Sequence, residues 1–173
     1  SFSIGAGHLS HAARRNINVT YVIMDNEIYG LTKGQASPTS QPGIITGTTP
    51  EGNRSVSINP ILQLLSYDAS FVAQGYSSSS NELTDLIVRG MQHTGFSVIR
   101  VISPCIAFNN IFKEVNQKVT PIPATHDSTD RMKAMALSLV PSVIYTGVFY
   151  QVERPAFETQ VTSGKPIDDL AGR

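Results

Sequence analysis

Residues 19–24 read Val19-Thr20-Tyr21-Val22-Ile23-Met24, an unbroken run of β-branched, aromatic and apolar side chains that is too short for a helix. A strand with apolar residues on both faces is typical of a parallel sheet that helices cover on both sides. The run stops at Asp25-Asn26-Glu27. Ligands of open α/β sheets bind beyond the carboxyl ends of the strands, so we predict a ligand-binding position directly after this run.

The segments around this run alternate between helical and strand-like patterns. Apolar periodicity and capping residues predict four helices, over residues 4–16, 60–67, 81–93 and 130–139. Short apolar runs predict three further strands, over residues 69–73, 97–102 and 143–150. This order predicts an α/β fold, with an open, mostly parallel sheet and helices on both faces. We expect one domain over residues 1–152 and an extended tail over residues 153–173.

Two long segments lack periodicity. Residues 30–59 are rich in Gly, Ser, Thr and Pro, and an aperiodic segment of that length inside a compact domain is often a functional loop. Residues 106–128 are also expected to be irregular. A second candidate ligand position follows the strand at 97–102, where Pro104-Cys105 are expected at a carboxyl end like that of Asp25-Asn26.

The composition excludes several classes of function. Thirteen Lys and Arg residues balance thirteen Asp and Glu residues, so the chain lacks the basic excess that nucleic-acid binding requires. No stretch approaches the about 18 consecutive apolar residues of a membrane span, so we expect a soluble protein. Cys105 is the single cysteine, which excludes an internal disulfide and predicts a cytoplasmic location. The chain begins at Ser1 with neither Met nor a signal peptide, and we expect it to be the C-terminal part of a longer protein.

The chemistry of residues 26–34 suits a metal-bound phosphate. Asn26 offers a neutral amide oxygen, which is a hard ligand for Mg²⁺, and the Ile28 carbonyl two residues later can reach the same ion. Gly30 and Gly34 bracket Thr32, which lets backbone N–H groups approach a phosphate closely. By spacing alone Asn26 is more often a turn residue, and both interpretations stay open at this point.

Several motifs together resemble the β subunit of 2-oxoacid:ferredoxin oxidoreductases. The longest is Asp25-Asn26-Glu27-Ile28-Tyr29-Gly30-Leu31-Thr32-Lys33-Gly34-Gln35, followed by Ser37-Pro38-Thr39. The others are His11-Ala12-Ala13-Arg14-Arg15-Asn16, Asn59-Pro60, Ala69-Ser70-Phe71-Val72-Ala73-Gln74-Gly75-Tyr76, Pro104-Cys105 and Gly147-Val148-Phe149-Tyr150. The resemblance is dense over the first 110 residues and thin beyond them.

The resemblance implies the C-terminal portion of a thiamine diphosphate-binding fold. In this family a Gly-Asp-Gly motif precedes an Asn by about thirty residues, and both hold Mg²⁺ against the diphosphate. By that correspondence the Asn26 side chain and the Ile28 carbonyl are the magnesium ligands, and the turn Gly30-Leu31-Thr32 contacts the diphosphate. The Gly-Asp-Gly half is not in the chain and is expected just before Ser1. This chain alone is therefore expected to be inactive.

Two more residues gain roles from the resemblance. Cys105 corresponds to a late cysteine that ligates the family's [4Fe–4S] cluster, although a cluster needs about four thiolates and the chain has one. Lys33 is expected to bind a substrate carboxylate or a phosphate of coenzyme A. The string Lys33-Gly34-Gln35 favours 2-oxoglutarate or a broad range of 2-oxo acids over pyruvate alone.

The reaction implied is the coenzyme A-dependent oxidative decarboxylation of a 2-oxo acid, with electrons passed to ferredoxin. An α subunit is the expected partner, because in this family it carries the carboxylate that acts on the cofactor's pyrimidine. We assign no catalytic residue on this chain. Two alternatives stay open, a half of a non-oxidative thiamine diphosphate-dependent decarboxylase or synthase, and a non-catalytic interaction module.

Overall fold

The structure is a computed structural model that describes residues 2–162, with side chains described up to residue 159. Its helices are α1 Ala6–Arg15, α2 Pro60–Ser66, α3 Ser80–Gln92, α4 Phe112–Lys118, α5 Arg131–Ser138 and α6 Phe157–Thr162. Its strands are β1 Val19–Asp25, β2 Ile28–Tyr29, β3 Gln35–Ala36, β4 Phe71–Tyr76, β5 Phe96–Ile102, β6 Val119–Pro121 and β7 Ile144–Gln151.

The main sheet has five strands in the order β1-β5-β4-β7-β6. β1, β5 and β4 are parallel to one another, β7 is antiparallel to β4, and β6 is parallel to β7. The predicted open, mostly parallel sheet is therefore confirmed. The direction of β7 is the exception, and its register against β4 shifts between Val72 and Ala73.

Helices cover both faces of the sheet, as the sequence predicts. Val98 and Ile99 are successive buried residues of β5 and so point to opposite faces. Val98 belongs to the core beneath α1, α2 and α5, which contains the fully buried Leu64 and Leu65. Ile99 packs on the other face with Leu86 of α3. Burial of one such leucine stabilises the fold by about 1.5–3 kcal/mol.

Side-chain caps explain where α2 and α5 begin. The Asn59 side chain caps α2 by accepting a hydrogen bond from the Leu62 N–H at 3.1 Å, and Pro60 fills the first helical position. The Asp130 carboxylate caps α5 in the same way, at 2.9 Å from the Met132 nitrogen. α3 lies close to the sheet at Gly90, where a Cβ atom would stand 2.7 Å from the Ile99 Cδ1.

Three predicted irregular segments contain regular structure. Within residues 106–128, α4 is held by the burial of Val115 against Tyr76 and Ile102, and β6 by pairing with β7. The extended tail predicted from residue 153 is wrong for α6, whose Phe157 N–H donates to the Asn16 carbonyl at 3.1 Å. Residues 163–173 of that tail lie outside the described residues. The long loop contains β3, which pairs with β2 just before the loop to form a short hairpin.

Across residues 2–162, none of the helices combines the length and the apolar character that crossing a membrane requires.

Candidate cofactor-binding site

The two ligand positions predicted from the sequence lie side by side. β1 and β5 are adjacent parallel strands, and the last residue of β1, Asp25, is paired with the last residue of β5, Ile102. The chain that leaves β5 stays against the end of β1, since the Ser103 N–H donates to the Asp25 carbonyl at 2.8 Å. Cys105 follows two residues later and is half-buried.

The chain turns sharply after β1 through two successive side-chain caps. The Asp25 Oδ1 accepts a hydrogen bond from the Glu27 N–H, and the Asn26 Oδ1 accepts one from the Ile28 N–H, each at 3.1 Å. Glu27 takes a left-handed φ of +57° between them. The turn role that the sequence left open for Asn26 is therefore confirmed. An amide oxygen has two lone pairs, so this bond leaves room for a second partner.

The motif after this turn forms a hairpin. Ile28 pairs with Ala36 and Tyr29 with Gln35, and the loop closes through a hydrogen bond of 2.9 Å from the Gly34 N–H to the Tyr29 carbonyl. Gly34 has a φ of +93°, and a Cβ atom there would stand 2.8 Å from the Phe108 Cδ1. The hairpin therefore packs against the loop after β5 at a position that requires glycine.

The predicted contact residues divide between the base and the tip of this hairpin. Leu31, Thr32 and Lys33 lie at the exposed tip. Gly30 lies at the base, where a Cβ atom would stand 3.6 Å from both the Asn26 Nδ2 and the Cys105 Sγ. The structure thus brings Asn26, Gly30 and Cys105 together, although they come from two strands that are distant in sequence.

The donors at the base of the hairpin are of the type that a magnesium diphosphate needs. The Asn26 amide and the Ile28 carbonyl are neutral hard oxygens, and the Ile28 carbonyl accepts a hydrogen bond from the Gly30 N–H at 3.1 Å. Because Gly30 has no side chain, none stands against the Asn26 amide and the Cys105 Sγ at this position. Within residues 2–162 no group of three or more His, Cys, Asp or Glu residues could hold a metal ion.

Sequence reasoning missed a buried ion cluster beneath this turn. Arg100 of β5 donates from Nε to the Asp25 Oδ2 at 2.8 Å and from Nη2 to the Glu27 Oε1 at 3.3 Å. The side chain of Arg100 is 11% exposed, and that of Asp25 is 7% exposed. Burial raises the pKa of Glu27 above its usual value, and the charge of Arg100 opposes that rise. A charged residue between the apolar pairs Val98-Ile99 and Val101-Ile102 of β5 was the available signal, because a buried charge must find a partner.

A cavity of about 520 Å³ adjoins the same cluster. Glu27, Gln41, Gln74 and Arg100 contribute to its lining, together with residues of α2 and α4. Asn26, Gly30 and Cys105 are not among the residues that line it. The base of the hairpin is therefore not part of this cavity.

Two family models match consecutive parts of the chain. Residues 1–101 match the C-terminal TPP binding domain of thiamine pyrophosphate enzymes, whose cofactor is also called thiamine diphosphate. Residues 105–165 match the C-terminal part of the pyruvate ferredoxin oxidoreductase beta subunit. The fold is thus that of a thiamine diphosphate-binding domain.

Individual relatives of the chain are subunits of 2-oxo acid oxidoreductases. The chain is 44% identical over 110 residues to 2-oxoglutarate oxidoreductase subunit KorB of Mycobacterium tuberculosis, covering 64% of this chain and 30% of that protein. It is 32% identical over 178 residues to a 2-oxoacid:ferredoxin oxidoreductase subunit beta of Sulfolobus sp, covering 94% of this chain and 58% of the relative.

The whole chain is also similar to a solved structure. That structure is a 2-oxoglutarate:ferredoxin oxidoreductase from Magnetococcus marinus with 2-oxoglutarate, coenzyme A and succinyl-CoA bound, at a TM-score of 0.92 and 40% identity. The match covers 100% of this chain and 60% of that one. The chain belongs to the thiamine pyrophosphate enzymes, among the β subunits of 2-oxoacid:ferredoxin oxidoreductases. The resemblance and the fold class predicted from the sequence are thereby confirmed.

Proposed function

We propose that this chain is the cofactor-binding part of an enzyme that decarboxylates 2-oxo acids oxidatively, transfers the acyl group to coenzyme A and passes electrons to ferredoxin. The observation that carries the proposal is the turn after β1, where the Asn26 amide and the Ile28 carbonyl offer neutral oxygens beside a glycine, Gly30. The chain spans between 30% and 60% of the length of the relatives described above, so the activity of the whole protein is part of the proposal.

In this proposal the Asn26 side chain and the Ile28 carbonyl hold Mg²⁺, and the turn Gly30-Leu31-Thr32 contacts the diphosphate. Bound thiamine diphosphate supplies the carbanion chemistry of the decarboxylation. The residues of this chain orient the diphosphate and keep it at the end of β1. The sequence contains no Gly-Asp-Gly motif, so the acidic ligand of the family pattern would come from outside these 173 residues.

Lys33 is proposed to bind the substrate carboxylate or a phosphate of coenzyme A. It lies at the exposed tip of the hairpin, and it forms no ion pair with another described residue. Its backbone is fixed by a hydrogen bond of 3.1 Å from its N–H to the Gly30 carbonyl, with a φ of +77°. We propose 2-oxoglutarate or a broad range of 2-oxo acids rather than pyruvate alone, which fits the 2-oxoglutarate named for several relatives.

Cys105 is proposed to supply one thiolate to a [4Fe–4S] cluster. A cluster needs about four thiolates, and Cys105 is the single cysteine of the chain, so the other ligands would lie outside it. The chain by itself does not make a cluster site. The match of residues 105–165 to an oxidoreductase β subunit supports this family over a non-oxidative decarboxylase or synthase.

An α subunit is the proposed partner, in the cytoplasm, with ferredoxin as the electron acceptor. Leu31, Ile106 and Phe108 are exposed apolar side chains on the hairpin tip and on the neighbouring loop. Grouped apolar side chains on a surface mark sites of association. They support an interface beside the cofactor, where the α subunit would complete the site.

Cofactor binding by the full-length subunit together with its α partner tests the proposal. Titration calorimetry with thiamine diphosphate and Mg²⁺ is expected to show binding that Asn26→Ala weakens tenfold or more. The 2-oxo acid- and coenzyme A-dependent reduction of a viologen dye should fall in parallel. Asn81→Ala, at an exposed residue at the start of α3, is the matched control and should change neither. Equal binding in Asn26→Ala and the parent complex would contradict the assignment of the site.

A further inference from the structure

The turn that presents Asn26 and Ile28 has two costly features. Glu27 adopts a left-handed φ of +57°, which few residues other than glycine take. Its carboxylate is buried, although glutamate side chains usually lie in solvent. Both features need support from elsewhere in the fold.

Arg100 supplies that support from the neighbouring strand. Its guanidinium reaches Asp25 through Nε and Glu27 through Nη2, the two residues that flank Asn26. Its Nη1 donates to the Gln74 Oε1 at 2.8 Å, and the Gln74 Nε2 donates to the Tyr145 carbonyl at 2.8 Å. A guanidinium carries its donors in a rigid planar fork, so three partners on two segments fix its position.

The long loop and the segment after β5 hold the same turn by further hydrogen bonds. The Thr39 hydroxyl donates to the Asp25 Oδ1 at 2.7 Å, and the Ser40 hydroxyl donates to the Glu27 carbonyl. The Asn109 Nδ2 donates to the Asn26 carbonyl at 3.1 Å. The Ser40 and Asn109 contacts restrain the main chain, whereas the two carboxylates that flank Asn26 meet a positive charge in Arg100.

We infer that Arg100 is a positioning residue for the cofactor turn. It orients Asp25 and Glu27, and through them the direction in which the Asn26 amide and the Ile28 carbonyl face. Without Arg100 two buried carboxylates would repel each other across Asn26, and at least one would rotate toward water. The inference rests on the proposed function, since it gives the oriented oxygens a magnesium diphosphate to bind.

A matched control, Arg154, separates the positioning role of Arg100 from a general contribution to stability. Arg154 also forms an ion pair with an aspartate, from Nη1 to the Asp68 Oδ2 at 2.6 Å. Asp68 precedes β4 and so lies at the amino ends of the strands, away from the turn. Arg154→Gln removes an ion pair without touching the turn, and is expected to lower the melting temperature alone.

The test is a magnesium titration of thiamine diphosphate binding, by calorimetry, in the full-length subunit with its α partner. Arg100→Gln is expected to raise the half-saturating Mg²⁺ concentration at least tenfold, with the KM for the 2-oxo acid unchanged. Arg154→Gln is expected to leave the Mg²⁺ concentration within twofold of the parent. Arg100→Lys keeps the charge without the planar fork and should give an intermediate value.

A second variant keeps the inference testable if Arg100→Gln does not fold. Glu27→Gln keeps the shape of the side chain and removes its charge, and it should raise the half-saturating Mg²⁺ concentration about threefold. A parent-like Mg²⁺ dependence in every Arg100 and Glu27 variant that folds, with cofactor bound by the parent, would overturn the inference alone. A parent complex that binds no thiamine diphosphate would overturn the proposed function and the inference with it.

Discussion

Buried polar side chains lie at both ends of the parallel strands, and the two groups differ in what they leave available. At the amino ends, the Asn16 Oδ1 accepts from the Ser70 hydroxyl at 2.6 Å and from the Phe96 N–H at 2.9 Å. Its Nδ2 donates to the carbonyls of Arg154 and Pro155. Every hydrogen-bonding position of that amide is used within the protein.

At the carboxyl ends of the strands, the Asn26 side chain keeps some of its hydrogen-bonding capacity. Among residues 2–162 the Asn26 Oδ1 accepts a single hydrogen bond, from its own turn, and the Gly30 backbone beside it carries no side chain. Asn16 precedes β1 and Asn26 follows it, and the two side chains have different roles. The saturated amide of Asn16 ties segments together, and the partly used amide of Asn26 can accept a ligand.

The hydrogen bonds that join Asn16 to Ser70, Phe96, Arg154 and Pro155 form the amino-end network, and the largest effect is expected from breaking it. Asn16→Ala removes the partners of two donors and two acceptors in the core, so the free energy of unfolding should fall by roughly 3 kcal/mol. Urea denaturation of the full-length subunit measures it. Thiamine diphosphate affinity of the folded protein should stay within twofold. A stability loss below about 1 kcal/mol would contradict the tying role.

The next largest effect is expected at the carboxyl ends of the strands, from a change in the hairpin β2–β3. Gly34→Ala places a Cβ atom in a left-handed backbone and against Phe108, which should cost about 1–2 kcal/mol and distort the hairpin. We expect about tenfold weaker thiamine diphosphate binding by calorimetry, as estimated from a loss of about 1.4 kcal/mol. Gly47→Ala is the control, because nothing lies within 4 Å of a Cβ atom there. Equal affinities in the two variants would show that the hairpin does not hold the cofactor.

A smaller effect is expected at the hairpin tip. Lys33→Ala removes an exposed cation whose backbone is already fixed, so the fold should be unaffected and the KM for a dicarboxylate 2-oxo acid should rise about fivefold. Steady-state kinetics with 2-oxoglutarate and pyruvate, with coenzyme A held saturating, separates substrate binding from coenzyme binding. Lys118→Ala, on α4, is the control. An unchanged KM for 2-oxoglutarate would remove the role of Lys33 in substrate choice.

The sequence predicted elements whose signals are local. The apolar run of β1, the capped start of α2 at Asn59 and the string around Gly30 each carry their own pattern, and each has its expected place. α4 and β6 are short and depend on distant partners, so their periodicity was too weak to find. The direction of β7 was also hidden, since an apolar run looks the same in either direction.

The candidate site also has a part with a local sequence signal and a part that depends on distant residues. Asn26 was found because it follows a buried strand, whereas its support from Arg100 joins residues 75 positions apart and leaves no local pattern. Sequence reasoning found the groups that face a ligand, because a ligand needs particular residue types close together. It missed the groups that orient them, because a buried charge pair requires only that the fold bring two residues into contact.

The smallest expected effect concerns the pH response of the amino-end network. Burial lowers the pKa of His93 below its usual 6.5, and the charge of Glu153 opposes that change. The neutral ring contacts the Ser70 hydroxyl at 2.9 Å, and since that hydroxyl donates to Asn16, the His93 Nε2 carries the proton. The folded state disfavours the charged ring. Its contribution to stability is therefore complete above pH 6.5 and is lost as the pH falls toward the lower pKa of the folded state.

Urea midpoints measured between pH 7.5 and pH 5 check that direction. The difference in unfolding free energy between parent and His93→Gln should shrink as the pH falls, because glutamine can still donate to Ser70 but does not titrate. His11→Gln, at an exposed position of α1, should keep the slope of the parent. A parent-like slope in His93→Gln would mean that the ring is hydrated in the folded state. The amino-end network would then be as open as the carboxyl end, and the contrast between Asn16 and Asn26 would rest on hydrogen-bond saturation alone.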